Sequence, residues 1–206
     1  MRENIKIGVI ILAAGSSSRL GYPKQLVKFK GKFLLQHSID LAEAIGFNTK
    51  ILVLGSKAEK IRKEIDPKKF KVVINEHWEE GMGTSISKGI SEAVEKEKQL
   101  EHILIMLSDQ PLISKDKIEE LIKVQLNSHK QATFSEYTGD IGVPAIFSHE
   151  LFSELIKLNG VQGAKKLLYN KDIRFQTIRI ENGKFDVDTK TDVEILNNME
   201  EGSKNN

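Results

Sequence analysis

The chain has no cysteine. That absence removes disulfides, thiolate zinc sites, iron–sulfur clusters and cysteine nucleophiles in one step, and it suits the cytoplasm. No apolar run approaches the ~20 residues of a membrane span. Charge of one sign is lacking as well: 31 Lys and Arg against 29 Asp and Glu leave a net charge of +2. There is then no global field to attract nucleic acid or a membrane surface, and the Lys/Glu-rich stretch from Glu92 to Glu101 is a solvated helix face. Four prolines in 206 residues, no internal repeat and no low-complexity segment leave no visible linker. One domain over residues 1–201 with a disordered tail over 202–206 is expected. The five histidines, His37, His77, His102, His129 and His149, share no metal-ligand spacing, and no Ser-His-Asp arrangement can be argued. Two phosphate motifs are also missing. A P-loop needs GxxxxGK[ST], but five residues separate Gly15 from Gly21 and Tyr22 stands where its lysine would be. The dinucleotide fingerprint GxGxxG is absent too.

What is present concentrates between Ile7 and Lys24, IGVIILAAGSSSRLGYPK. Arg2 and Lys6 before an apolar run and Ala-Ala-Gly imitate a short signal peptide, but cleavage there would destroy a loop whose charges make sense together. The run reads better as a buried strand covered on both faces. Ala13, Ala14 and Gly15 let a ligand approach the backbone. Ser16, Ser17 and Ser18 add hydroxyl and N–H donors, and Arg19 and Lys24 bring two positive charges. That chemistry suits a polyanion such as a nucleoside triphosphate.

Strand-like and helix-like patterns alternate through the first two thirds, as βαβ units do. A helical stripe from Leu34 to Ile45 stops at Gly46, and Ile51–Leu54 is a short buried strand. Ser56 to Glu59 has the form of a capping box opening a helix that ends before Pro67. Val72–Ile74 is the next strand, a helix follows from Thr84, Ile103–Leu107 is a central strand, and Ser114 caps another helix. Residues 131–147 look extended, with helices near 149–158 and 162–169, a strand at 173–180 and a last helix after Thr189. The pattern predicts a three-layer α/β/α fold with a mostly parallel sheet.

Asp109, in Leu107–Pro111 (LSDQP), follows the buried strand directly, at the carboxyl edge where open α/β sheets place ligands. Mg²⁺ takes one or two carboxylates plus phosphate oxygens, so Asp109 suits a metal ligand better than a helix cap, a position Ser114 already serves. In FDVDTKTDVEIL, Asp186 and Asp188 alternate on an extended segment with Val187 facing the other way, and Thr189 with Asp192 forms a helix cap. Asp188 either completes a magnesium site with Asp109 or sits beside the positive helix start. In Asn75–Gly89, Trp78 lies in a polar loop closed by Gly81 and Gly83, either shaping a pocket or pinning the loop to the core. The N–H groups of the helix that follows favour anions.

Together these segments resemble the MobA-like nucleotidyltransferases, whose signature LAAGxSxRMGxPK is matched at Leu12, Ala13, Ala14, Gly15, Ser17, Arg19, Gly21, Pro23 and Lys24, with Leu20 in place of methionine. The tryptophan loop, LSDQP, IGVPAIF and DVDT are similar to the molybdenum cofactor cytidylyltransferase branch. The resemblance implies a Rossmann-like fold of the nucleotide-diphospho-sugar transferase type and Mg²⁺ held by Asp109 and Asp188. It implies a nucleotide pocket from Leu12 to Arg19 with Lys24, Asn75, Gly81, Met82 and Ser85. Trp78, Gln110, Pro144, Gly163 and Ala164 fall on the acceptor side, and Arg19, Lys24 and Asp109 are the expected catalytic groups. Departures lie in the back half: Val143 replaces a histidine, Gly160–Lys165 replaces G-D-x-G-A-R, and Lys190 replaces a proline.

A phosphate acceptor is already anionic near neutral pH, so nucleotidyl transfer needs no protein base. It needs positive charge in a dry, preorganised site. Arg19 is expected on the β/γ-phosphates, Lys24 on the α-phosphate and transition state, and backbone N–H groups of Ala14–Ser18 around the phosphates. The expected reaction moves CMP from CTP onto molybdopterin or its molybdenum-loaded form, with a molybdenum hydroxylase apoenzyme as a downstream partner. Transfer to a sugar phosphate or another phosphate, and non-catalytic cofactor delivery, are the alternatives. A dinucleotide-dependent oxidoreductase lacks its fingerprint.

Overall fold

The apolar run from Ile7 becomes strand β1 (Ile7–Ala13), the middle of the sheet in a computed structural model that describes residues 5–181 and 185–204. It pairs in parallel with β4 (Thr49–Leu54) on one side and β6 (His102–Leu107) on the other. A short hairpin of β2 (Lys28–Phe29) and β3 (Lys32–Phe33) stands apart. The other strands are β5 (Lys71–Ile74), β7 (Ala132–Tyr137), β8 (Asp140–Ser148) and β9 (Phe175–Arg179). The order of the seven-stranded sheet is β5-β4-β1-β6-β8-β7-β9, and only β8 runs against the rest. The chain winds outward from β1 to β5 and then crosses back to β6. The β1/β6 border is therefore the switch point, where the carboxyl ends of the strands leave a crevice.

Both faces of the sheet are covered. The helices are α1 (Leu34–Ile45), α2 (Ala58–Glu64), α3 (Met82–Lys96), α4 (Lys115–Leu126), α5 (Phe152–Ile156) and α6 (Lys190–Lys204). Ile10, Ile51 and Ile105 meet Ile86 and Ile90 of α3 on one face. Val9, Leu52 and Leu104 meet Leu35 and Ile39 of α1, Ile61 of α2 and Leu121 of α4 on the other. Successive strand residues thus alternate between two apolar layers, which is why the strands are continuous in Val, Ile and Leu. Each fully buried side chain of this kind contributes roughly 1.5–3 kcal/mol. The expected three-layer α/β/α architecture with a mostly parallel sheet is what the chain adopts. A third cluster, with Leu20, Phe29, Leu34, Val187 and Leu196, ties the β2/β3 hairpin and α6 beneath the loop after β1.

Local signals hold in part. Gly46 ends α1 at φ 86, as an αL cap does, and the Ser114 hydroxyl accepts from the Lys117 N–H to cap α4. Thr189 and Asp192 cap α6 reciprocally, at 2.7 Å (Thr189 N to Asp192 Oδ2) and 3.2 Å (Asp192 N to Thr189 Oγ1). The Ser56–Glu59 capping box does not form. Ser56 gives its N–H to the Ala14 carbonyl, and α2 opens from Lys57 at φ 53 without a side-chain cap. Helix α3 starts at Met82, not Thr84, whose hydroxyl bonds back to Gly81 O. Residues 149–156 split into a 3-10 turn and α5, and 164–169 form a 3-10 turn. The extended stretch 131–147 is the β7/β8 hairpin. Helix α6 runs as far as Lys204, with Glu200 accepting from the Lys30 N–H at 2.8 Å. Asn205 and Asn206 lie outside the described residues.

Candidate functional site

Register places the site. Leu12 pairs with Leu107 and Ala13 with Leu54, so the segments after β1 and β6 leave the sheet side by side. The loop after β1 is held from behind. Gln25 Nε2 donates to Ala13 O at 2.8 Å and Gly15 O at 3.3 Å, and Ser56 N donates to Ala14 O at 3.0 Å. Ser17, at φ 56, accepts from the Leu20 and Gly21 N–H groups through its carbonyl and from the Lys24 N–H through its hydroxyl. The loop folds back so that Lys24 returns beneath it.

There Lys24 Nζ contacts Asp109 Oδ2 and lies 2.7 Å from Asp188 Oδ1, while Arg19 reaches Asp188 Oδ2 at 2.8 Å. Asp109 is only 4% exposed, whereas the Arg19 side chain is 70% exposed. Burial alone would lower the Lys24 pKa, but the Asp109 and Asp188 carboxylates outweigh it and hold it above the ordinary lysine value. One ammonium is shared between two carboxylates, one from mid-chain and one from near the C-terminus. Asp109 Oδ1 is buried and has no hydrogen-bond partner among the described residues. A buried, partnerless carboxylate oxygen is costly, and it is where a cation could bind. No cluster of three or more His, Cys, Asp or Glu suited to a metal exists among the described residues. Mg²⁺ needs no such cage where phosphate oxygens complete its shell.

A cleft of about 320 Å³ opens above this group. Of the expected nucleotide residues, Leu12, Ala13, Ala14, Gly15, Ser16, Lys24, Gly81, Met82 and Ser85 line it, as does Asp109. Ser17, Ser18 and Arg19 do not. Asn75 stands behind the wall, donating to Thr84 Oγ1 and Ser85 Oγ and accepting from the His77 N–H. Trp78, expected on the acceptor side, lines this first cleft because a 3-10 turn over Trp78–Glu80 folds it toward Gly55. A Cβ at Gly55 would lie 2.7 Å from that of Trp78. At the α3 N-terminus the Gly83 N–H is taken by Gly160 O at 2.9 Å.

A second cavity of about 360 Å³ adjoins the first across Met82 and Leu107. Of the residues expected on the acceptor side, Gln110, Gly163 and Ala164 line it, and Pro144 lies in a smaller pocket with His37 and Ser38. Its mouth carries a Lys165–Asp140 ion pair at 2.7 Å. Its inner end carries Asp186, which accepts from Gln110 Nε2 at 3.0 Å. Tyr137 donates to Val143 O, and burial holds its hydroxyl protonated, with a pKa of about 12. Two residues, one in each cavity, were not assigned a role from sequence. Gln25 gave no signal, but Asp186 could have been found, since its two-residue spacing from Asp188 sends both carboxylates to one face.

Burial, and then the charge of Asp109, push the Asp186 carboxyl up to about 6. An acid whose folded pKa exceeds its unfolded value of ~3.9 binds its proton better when folded. Its contribution is therefore harmless below about pH 4 and costs stability as pH rises to about 6, on the order of 2 kcal/mol allowing for partial solvation. In metal-free protein, Asp186→Asn should raise Tm by roughly 4–6 °C at pH 7 and by little at pH 4. A gain of equal size at both pH values would refute the assignment.

Comparison with known proteins fits this geometry. The MobA-like NTP transferase domain matches residues 9–175. The crystal structure of Rv0371c from Mycobacterium tuberculosis H37Rv superposes with a TM-score of 0.84 at 30% identity, over 93% of this chain and 97% of that one. A manganese complex of Rv0371c superposes at 0.79 and 27% identity, over 93% and 97%. The purine catabolism protein PucB of Bacillus subtilis is 29% identical over 177 residues, 82% of each chain. Nicotine blue oxidoreductase of Paenarthrobacter nicotinovorans is 32% identical over 114 residues, 55% of this chain and 54% of that protein, so the match spans about half of that relative. With the signature loop, the buried Asp109 and the switch-point cleft all falling within or beside the matched span, the chain belongs to the MobA-like NTP transferase family.

Proposed function

We propose that this protein transfers CMP from CTP to the phosphate of molybdopterin, or of its molybdenum-loaded form, releasing pyrophosphate in the cytoplasm for later use by a molybdenum hydroxylase apoenzyme. The observation that carries the reading is the Lys24 ammonium held between Asp109 and Asp188 beneath the loop after β1. An acceptor phosphate oxygen would bond to the α-phosphorus as the bond to the β-phosphate oxygen breaks. Lys24 would carry charge at the reacting phosphorus, and Arg19, at the exposed rim, would meet the departing pyrophosphate. Asp109 and Asp188 would hold Mg²⁺, and the partnerless Asp109 oxygen fits that role. When bound, such an ion neutralises phosphate charge. The manganese complex of Rv0371c supports divalent-cation use.

The second cavity favours this acceptor over a sugar phosphate. Phe134, Val143, Val161 and Ala164 give it apolar walls, and Lys165 is the one cation among its described lining residues. Such walls suit a flat ring system better than a polyol. The test is Mg²⁺-dependent pyrophosphate formation with each of the four nucleoside triphosphates, with and without molybdopterin. CTP with molybdopterin is the expected productive pair. Cofactor binding without pyrophosphate from any pair would support the delivery alternative and overturn catalysis.

A further inference from the structure

Gln25 is 0% exposed yet lines the first cleft. Its amide orientation is forced, since only the Nε2 group can donate to two carbonyl oxygens, those of Ala13 and Gly15. A planar trans peptide points its C=O and N–H in opposite directions, and the only cis bond among the described residues is Val143–Pro144. Drawing Ala13 O and Gly15 O toward Gln25 therefore turns the N–H groups of Ala14 and Ser16 away from it, on one side. Ala14 O, the carbonyl between them, is drawn off to Ser56. Ala14 and Ser16 both line the cleft.

We infer that Gln25 is the positioning residue that aims the Ala14 and Ser16 amides at the phosphates of the nucleotide. It acts through the loop and touches no reacting atom. Its Oε1 is buried without a partner among the described residues, so the side chain keeps this orientation for its two donated bonds alone. The inference rests on the reading of the first cleft as a nucleotide site. It goes beyond that reading by giving the loop's donor geometry a single side-chain cause.

The test is titration of ¹⁵N-labelled full-length protein with inorganic triphosphate and, separately, with cytidine, following amide shifts. In the wild type, triphosphate should move the Ala14 and Ser16 amides most. Gln25→Met fills the same space without either hydrogen bond, and its spectrum reports whether it folds. Gln25→Glu, which keeps the size and loses the donor, carries the same expectation. Both variants should bind triphosphate roughly tenfold to a hundredfold more weakly, with cytidine affinity unchanged. Wild-type triphosphate affinity in both variants, or an equal loss for cytidine, would overturn the role of Gln25 and leave the nucleotide site standing. A wild type that binds CTP but not triphosphate through these amides would do the same. A wild type that binds neither triphosphate nor CTP would overturn both.

Discussion

Lys24→Met should lower kcat by about three orders of magnitude while weakening nucleotide binding no more than about tenfold. The Lys24 ammonium is the buried cation that touches both Asp109 and Asp188. Methionine fills its volume and leaves those carboxylates, with Asp186 beside them, facing one another without it. Arg19 reaches only Asp188, from a solvated position where screening weakens its effect. The ground state keeps the loop amides and the walls of the cleft, so most binding survives. The transition state, with charge moving toward pyrophosphate, loses its nearest positive group. Single-turnover pyrophosphate release set against equilibrium binding of CTP separates the two effects, and equal losses in both would refute the role.

Asp109→Asn is the second large effect. It should lower activity by roughly 10²- to 10⁴-fold and weaken Mn²⁺ binding in the presence of CTP, measured by electron paramagnetic resonance. The substitution spares the backbone, because the Asp109 carbonyl accepts from the Val187 N–H at 3.1 Å whatever the side chain. Fold loss is therefore not the expected cause. Unchanged Mn²⁺ affinity would remove Asp109 from the cation site. Combining it with Lys24→Met should cost far less than the sum of the two, since residues that act as a unit lose their effect together.

The parts legible in the sequence are those where one local pattern had one solution. A continuous Val/Ile/Leu run with a glycine loop after it could be little but a central strand, and Asp109 after a second such run had to emerge at the same edge. Ser114 and Thr189–Asp192 capped helices as expected because each cap pairs residues only three apart in sequence. Ser56 failed as a cap because its N–H is tied to Ala14 O and the helix opens one residue later, from Lys57 at φ 53. That Trp78 lines the first cleft was not legible, because its direction depends on a close packing with Gly55 that spacing does not express. Gln25 stayed invisible for the same reason: its partners are carbonyls 12 and 10 residues away. Asp186 was visible as one of an alternating pair, but its bond to Gln110 arises only when two distant segments meet.

The lone reversed strand of the sheet, β8, has a consequence for how the molecule could be altered. Because β8 starts where β7 ends, at the carboxyl edge, Tyr137, Asp140 and Val143 enter the second cavity from a hairpin whose turn is Thr138–Gly139. None of the first cleft's lining comes from that hairpin. Lengthening or recolouring the tip with different side chains would reshape the second cavity, the proposed acceptor chamber, while the first cleft, the proposed triphosphate end, kept its scaffold. On that reading donor and acceptor choice are mechanically separable, joined chiefly by the shared wall of Met82 and Leu107.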